Sequence, residues 1–155
     1  MAVRPIPEGY TTITPYLVVR GAAQAIEFYQ KAFGAKELMR FPMPDGTVAH
    51  AEIKIGNAIM MLADEMPGMG YLGPASRGGC TGGIALYVED ADGMFRQALA
   101  AGGKQIKPME DQFYGDRSGT LADPFGHWWT IATHKEDVSP QEMKKRFEGM
   151  MKKGG

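Results

Sequence analysis

His50 and Glu52 are the residues in this sequence whose types and spacing best suit chemistry, because they stand two positions apart in the alternating segment 47–55. Side chains at i and i+2 of a β-strand point to the same face of the sheet, so the imidazole and the carboxylate are predicted to be neighbours. Such a pair can hold a proton donor and acceptor or bind a divalent metal. The alternative, which we favour because only one histidine is nearby in sequence, is a hydrogen-bonded pair that lines a cavity or faces solvent.

Tyr114 and Arg117 flank a predicted hairpin turn and form a second candidate. An arginine can clamp a carboxylate or phosphate through two parallel hydrogen bonds, and a tyrosine can donate one more. The alternative is a surface ion pair of Arg117 with Asp116 or Asp123, which would contribute little. Both interpretations stay open, as does the face that Arg117 occupies, because Gly119 can mark a bulge that reverses the alternation.

Trp128 and Trp129 are adjacent, so in a strand they must face opposite ways. Trp129 is expected in the core. Trp128 is expected to be a stacking platform for a planar ligand, with ordinary packing against Tyr16 or Tyr87 as the alternative.

Histidine and cysteine spacing predicts no common type of metal site. The three histidines, His50, His127 and His134, do not form a spacing such as His-x-x-x-His. We expect His127 to belong to a turn and His134 to be solvated near a strand end. The single cysteine, Cys80, excludes an internal disulfide and a cysteine-based zinc site. We therefore expect no metal and no cofactor.

Length and composition indicate one packed domain over residues 1–155. The charge is balanced, with 17 Lys and Arg against 18 Asp and Glu, so nucleic acid and anionic membranes are not expected partners. The longest apolar run, residues 58–63, is too short to cross a bilayer, and residues 1–10 lack the apolar stretch of a secretory signal. These features predict a cytoplasmic protein.

The elements that must position these residues repeat along the chain. Two apolar, β-branched runs each lead into an amphipathic helical pattern, and the helix starts at Gly21 and Asp90 are 69 positions apart (90 − 21). The helix ends at Gly34 and Gly103 are also 69 apart (103 − 34). The later turn glycines Gly56 and Gly126 are 70 apart (126 − 56), which we interpret as a one-residue insertion.

Each half therefore predicts a β-α-β-β-β module in an α+β fold. Module 1 covers about residues 10–64, a Gly- and Pro-rich linker 65–81, module 2 about 82–134, and a C-terminal helix about 139–152. The predicted strands are near 12–19, 36–42, 47–55 and 58–64, and near 82–88, 104–111, 113–122 and 127–134.

Several short motifs occur in a characteristic order: Tyr16–Val19, Ala32-Phe33-Gly34-Ala35, Asp45-Gly46, His50-Ala51-Glu52, Ile55-Gly56-Asn57, Tyr114–Arg117 and Asp123–His127. In this order and spacing they resemble the vicinal oxygen chelate superfamily of glyoxalase I, extradiol dioxygenases and bleomycin-resistance proteins, most closely its PhnB-like group. The resemblance implies two U-shaped half-barrel sheets, with helices on the convex face and a ligand pocket on the concave face.

The same resemblance implies metal-ligand positions on the first and last strands of each module. By spacing these map to Thr14, Met60, Gly83 and Thr130. A hydroxyl, a thioether and a glycine do not make the His and Glu donor set that a divalent metal prefers. We therefore expect the usual metal site of the family to be absent.

Strand alternation extends the predicted pocket to the residues that share a face with the mapped positions. The candidate ligand-binding residues are Thr14, Tyr16, His50, Glu52, Met60, Leu62, Tyr87, Tyr114, Arg117, Trp128 and Thr130. Aromatic walls with a few polar groups favour a flat, amphipathic small molecule.

Two functions follow from this reading of the sequence. The first is a metal-free small-molecule-binding protein. The alternative is a lyase, isomerase or dioxygenase-like enzyme acting through His50 and Glu52, with or without a divalent metal. A homodimer is expected, because the edges of a four-stranded half-barrel need covering.

Overall fold

The computed structural model describes residues 3–153 and contains eight strands and four α-helices in that range. The strands are β1 (Tyr16–Val19), β2 (Lys36–Pro42), β3 (Val48–Ile55), β4 (Ala58–Asp64), β5 (Gly83–Tyr87), β6 (Lys104–Asp111), β7 (Asp116–Ala122) and β8 (Trp128–His134). The helices are α1 (Ala22–Phe33), α2 (Pro74–Arg77), α3 (Ala91–Ala100) and α4 (Pro140–Lys153), with a 3₁₀ turn at Pro67–Met69. None of these helices is long and apolar enough to span a membrane.

The strands form two four-stranded sheets with the same topology, in the orders β1-β4-β3-β2 and β5-β8-β7-β6. In each sheet the first strand runs parallel to the fourth, and the other neighbours are antiparallel. The predicted α+β fold of two tandem βαβββ modules with a C-terminal helix is confirmed. Module 1 is hereafter β1–β4 with α1, and module 2 is β5–β8 with α3.

A side chain on the last strand of each module caps the first helix of that module. Asp64 at the end of β4 accepts hydrogen bonds from the backbone N–H groups of Gly21 (2.7 Å) and Ala22 (3.0 Å) at the start of α1. Thr133 on β8 accepts the equivalent bond from Ala91 at the start of α3 (3.0 Å). Because Asp64 and Thr133 are 69 positions apart (133 − 64), the repeat extends to individual hydrogen bonds.

The core is continuous between the two modules. Helix α1 packs against α3, and the rings of Tyr29 and Phe33 lie 5.2 and 4.6 Å from that of Trp129 on β8. Buried Asp123, in the β7–β8 connection, accepts hydrogen bonds from the Tyr29 hydroxyl (2.7 Å) and the Trp129 indole (2.9 Å). This carboxylate therefore ties module 1 to module 2.

The prediction that Met60 and Leu62 face the pocket is wrong. Both are buried in the hydrophobic core, and β4 pairs Met60 with Ile53 and Met61 with Glu52. Met61 is the residue of β4 that faces the concave side with Glu52, where it lines a cavity.

The reason for this error lies in the connections between the strands. In module 1 a two-residue turn follows Ile55, which pairs with Ala58, whereas five residues separate the paired Ala122 and Trp128 of module 2. Gly56 and Gly126 occupy different positions in these turns, so their spacing of 70 does not hold along the strands that follow. When the two modules are aligned with a spacing of 69 residues, Met60 corresponds to the buried Trp129 and Met61 corresponds to Thr130.

Candidate functional site

The concave face of module 1 brings together Tyr16 of β1 with His50 and Glu52 of β3. The Tyr16 hydroxyl lies 3.2 Å from Nδ1 of His50, and Nε2 of His50 lies 3.4 Å from Oε1 of Glu52. A neutral imidazole has one donor and one acceptor nitrogen, so both ring nitrogens of His50 take part in these hydrogen bonds. The 3.4 Å contact is at the long limit of a hydrogen bond, which leaves the Glu52 end of the chain open to a better-placed partner.

The N-terminal segment covers part of this face. A cavity of about 580 Å³ lies between residues 5–12 and the sheet, where Thr14, Glu52 and Met61 form its wall. Burial, together with the Glu52 carboxylate as hydrogen-bond acceptor and negative charge, raises the pKa of Tyr10 to about 12. Tyr10 was not among the predicted residues, because it precedes the repeat and no local pattern links it to Glu52.

A second cavity, of about 520 Å³, adjoins Tyr16. Its wall combines Tyr16 and Val18 with the connection between the modules and with His127. Nε2 of His127 lies 3.0 Å from the carbonyl oxygen of Val18, to which it donates. His127 thus stands in a turn, as predicted, while its ring reaches across to module 1.

The concave face of module 2 carries Tyr87, Trp128 and Thr130. The Tyr87 side chain is one of the most exposed of the large apolar ones, at 67%, and Trp128 is 45% exposed, whereas Trp129 is fully buried. The predicted division of the two indoles between the faces of β8 is confirmed. The hydroxyl of Thr130 is hydrogen-bonded to that of Thr120 at 2.9 Å.

A second hydrogen-bonded chain runs along this face of module 2. Buried Asp116 accepts from the Tyr87 hydroxyl (Oδ2, 2.6 Å) and from Nδ1 of His134 (Oδ1, 2.7 Å), and Nε2 of His134 lies 2.9 Å from Oδ1 of Asp137. Hydrogen bonding to Asp116, then burial and the charges of Asp116 and Tyr114 raise the pKa of Tyr87. Hydrogen bonds to Asp116 and Asp137 raise the pKa of His134.

Sequence patterns do not reveal this second group of hydrogen-bonded side chains. They predict a solvated His134 and offer Asp116 only as a partner for Arg117. The signal that would have found it is the register of β7 with β8, because Asp116 pairs directly with His134.

Arg117 points away from the concave face. Its guanidinium binds Asp92 of α3 through two hydrogen bonds (2.7 and 2.9 Å) and contacts Asp111 at 3.3 Å, and these bonds raise its pKa. The predicted ligand clamp and the predicted partners Asp116 and Asp123 are therefore wrong. Arg117 pairs in register with Thr133, whose side chain caps α3, and β7 runs past Gly119 without a bulge.

The predicted site residues therefore divide between two sheets. Thr14, Tyr16, His50 and Glu52 lie on module 1, and Tyr87, Tyr114, Trp128 and Thr130 belong to module 2. Met60, Leu62 and Arg117 lie on the helix-facing side.

Comparison with known proteins agrees with this architecture. The model of the Glyoxalase/Bleomycin resistance protein/Dioxygenase superfamily matches residues 10–131. The chain belongs to this superfamily.

Several individual proteins are similar to this superfamily member. Protein Mb0911c of Mycobacterium bovis is 44% identical over 135 residues, which cover 85% of this chain and 89% of that protein. The crystal structure of TioX from Micromonospora sp. ML1 has a TM-score of 0.62 and 28% identity, covering 80% of this chain and 98% of that one. The PhnB protein of Bacillus cereus has a TM-score of 0.61 at 21% identity, covering 79% and 99%, and shares the fold.

The donor set at the family's metal positions does not fit a divalent metal. With the register of β4 corrected, these positions hold Thr14, Met61, Gly83 and Thr130. They supply two hydroxyls, a thioether and no fourth side chain, instead of imidazoles and carboxylates. Within residues 3–153, no three His, Cys, Asp or Glu side chains come together as a metal site would require.

Proposed function

We propose that this superfamily member is a small-molecule-binding protein whose ligand site is the concave face. One observation carries the proposal: accessible aromatic rings stand there beside a few converging polar groups, while the metal positions hold poor ligands. In module 1 these groups are the Tyr16 phenol, the His50 imidazole and the Glu52 carboxylate, which form one hydrogen-bonded chain.

A flat, amphipathic ligand suits this face. Cavities of about 580 and 520 Å³ adjoin Tyr16 and Glu52, within the range that holds small organic molecules. The ring centroids of Phe41 and His50 lie 6.3 Å apart, and Phe41 is 55% exposed. Aromatic rings and the imidazole would bind the ligand's faces, and Glu52 would bind a donor at one end.

We further propose a homodimer in which a second copy covers edges of the two half-barrel sheets. The edge strands of these sheets are β1, β2, β5 and β6. Unpaired strand edges are features that association removes. Light scattering after size exclusion should give twice the mass of the chain, and a monomer at micromolar concentration would contradict this.

The binding proposal is tested by screening flat aromatic fragments with saturation-transfer NMR. Hits are then titrated against the His50→Gln and Trp128→Ala variants, with Met151→Ala, an exposed residue of α4, as the matched control. We expect at least one saturable hit that weakens in His50→Gln and keeps its affinity in Met151→Ala. Hits that respond equally to all three variants would place binding elsewhere.

The alternative is a lyase, isomerase or dioxygenase-like enzyme, and the Tyr16–His50–Glu52 chain is the observation that favours it. An imidazole between a phenol and a carboxylate can transfer a proton, or Nε2 and the carboxylate can hold a displaced divalent metal. Protein treated with chelator should be melted with and without Mn²⁺, Ni²⁺, Zn²⁺ and Mg²⁺. A saturable increase in Tm that His50→Gln and Glu52→Gln both abolish would favour the metal-dependent enzyme.

Three finer assignments complete the proposal. We place the chain in the PhnB-like group, supported by the ordered motifs and by the shared fold of the Bacillus cereus protein. We treat residues 1–155 as one domain, supported by the core that α1, α3 and β8 share. The cytoplasmic location expected from composition stays a prediction.

A further inference from the structure

The hydrogen-bonded chain on module 2 has the form of a built site that the proposed function does not use. Asp116 and His134 are directly paired residues of β7 and β8, and Tyr87 comes from β5, which neighbours β8. Three strands therefore position these hydrogen-bonded side chains. Both oxygens of the buried Asp116 carboxylate are occupied, one by the Tyr87 hydroxyl and one by Nδ1 of His134. A buried carboxylate bonded in this way fixes the orientation of the imidazole.

This orientation directs Nε2 of His134 towards solvent. Nδ1 must carry a proton to bond the Asp116 carboxylate, and the contact of Nε2 with the Asp137 carboxylate at 2.9 Å requires a proton there too. The two contacts therefore favour the doubly protonated imidazolium, in which one donor is committed to the buried Asp116. The other donor is held only by a residue of the loop between β8 and α4.

The contact with Asp137 shows that Nε2 of His134 binds a carboxylate. The Asp137 side chain is fully exposed, and among the described residues the bond to Nε2 is the one hydrogen bond of its carboxylate. An exposed ion pair of this kind contributes little and exchanges readily. A carboxylate brought by a ligand can therefore take the same place without breaking any other contact of the loop.

The surroundings of Nε2 favour a small monoanion with a flat apolar body. The Tyr87 ring, 67% exposed, provides an apolar surface beside the imidazole, and Tyr114 lies close enough to influence the ionisation of Tyr87. The imidazole lies between the carboxylates of Asp116 and Asp137, so a ligand that replaces Asp137 leaves the local charge unchanged only if it carries one negative charge. A phosphate dianion would place a second charge near the buried carboxylate of Asp116, which is unfavourable.

We propose that Tyr87, Asp116 and His134 form a second ligand site, which binds the carboxylate of a small aromatic acid through Nε2 of His134 in place of Asp137. Tyr87 would contact the ring of the acid. Asp116 is a positioning residue, because it acts through the imidazole. The site uses none of Tyr16, His50, Glu52 and Trp128, so it can be tested separately from the ligand site of the proposed function.

Imidazole NMR with benzoate as the probe tests this proposal directly. The chain has three histidines, so single His→Gln variants assign every ring signal. At pH 6 we expect millimolar benzoate to shift the His134 signals saturably, also in the His50→Gln variant. Benzamide, which has the same shape without the charge, should shift them far less, and inorganic phosphate should not displace benzoate.

Substitutions of the competing carboxylate sharpen the test. Asp137→Asn removes the internal competitor from an exposed loop and should tighten benzoate binding about two- to fivefold. The matched control Asp111→Asn removes another largely exposed carboxylate, beside Arg117, and should leave the affinity unchanged. His134→Ala, shown to be folded by its thermal transition, should abolish the saturable response.

Three outcomes would overturn the proposal. They are no shift of the His134 ring with benzoate in either the native chain or Asp137→Asn, shifts confined to His50, or equal responses to benzoate and benzamide. Shifts confined to His50 would still support the ligand site of module 1, so failure here is distinguishable from failure of the proposed function.

Discussion

The two modules share one strand topology, but they hold a histidine on the concave face in different ways. In module 1, His50 stands in the middle of β3 and contacts Tyr16 and Glu52 at 3.2 and 3.4 Å. In module 2, His134 stands at the end of β8 and makes a 2.7 Å bond to the buried carboxylate of Asp116. The imidazole of module 2 is thus fixed and its charged form is favoured, whereas that of module 1 has longer contacts that a ligand can replace.

The coverage of the two faces differs as well. Residues 5–12 lie over the sheet of module 1 and enclose a cavity beside Glu52. Over module 2, Tyr87 and Trp128 stay widely exposed within the described part of the chain. The repeat therefore preserves helix capping and core positions, while the ligand-facing surfaces have become distinct.

The largest expected effect is a difference in stability between substitutions on the two faces of β8. Trp129→Ala removes a fully buried indole that both modules contact, and it should lower the free energy of unfolding by about 3–5 kcal/mol. Trp128→Ala, half-exposed on the concave face, should change it by less than about 1 kcal/mol and should weaken binding of aromatic fragments. Urea unfolding and fragment titration of both variants measure this, and the reverse pattern would invert the orientation of β8.

A second pair of variants tests the orientation of β4. Met60→Ala creates a cavity in the core of module 1 and should destabilise the fold by about 2–4 kcal/mol. Met61→Ala changes a concave, half-buried position and should cost less than about 1 kcal/mol. Equal losses in urea unfolding would mean that the two residues do not lie on opposite faces.

The two helix caps should differ in strength. Asp64→Ala leaves the N–H groups of Gly21, Ala22 and Val48 without their acceptor, and we expect a loss of about 2 kcal/mol or more. Thr133→Val removes one of two side-chain caps of α3, because Asp90 still accepts from the N–H of Gly93, and should cost about 1 kcal/mol. Chemical denaturation measures both, and a larger loss for Thr133→Val would show that the caps are not equivalent parts of the repeat.

Local sequence patterns were enough to predict the secondary structure of both modules. Glycines at helix ends and alternating strands predicted β2, β4, β6 and α4 to within a residue or two. The predicted first strand was too long, because regular pairing starts at Tyr16, and the start of β7 was placed too early because residues 112–115 form a turn.

The parts that could not be predicted depend on turn geometry and on distant contacts. The orientation of Met60 follows from a two-residue turn that sequence spacing had aligned with a five-residue connection. The partner of Arg117 lies on α3, 25 positions away, and the contact of Glu52 with Tyr10 spans more than 40. Such contacts arise from the packed fold, so no local motif encodes them.

The smallest expected effect concerns pH and would show that the histidine of module 2 is held as a charged group. Its hydrogen bonds to Asp116 and Asp137 raise the pKa of His134, while the Tyr87 hydroxyl shares the Asp116 carboxylate and Glu110 pairs with Ser118 on the same face. Because the pKa is higher in the folded than in the unfolded chain, protonation stabilises the fold. This stabilisation is fully present below about pH 6.5, the unfolded value, and is lost as the pH rises through the folded pKa.

The measurement is the difference in Tm between the native chain and His134→Gln, which keeps a neutral donor beside Asp116, across pH 5 to 9. We expect the native advantage to be greatest at acidic pH and to decline as the pH rises. Asp137→Asn removes one of the two carboxylates that favour the charged ring, so the decline should start at a lower pH in that background. An advantage that grows with pH would mean that the folded protein favours the neutral imidazole, and the contrast between the two modules would then fail.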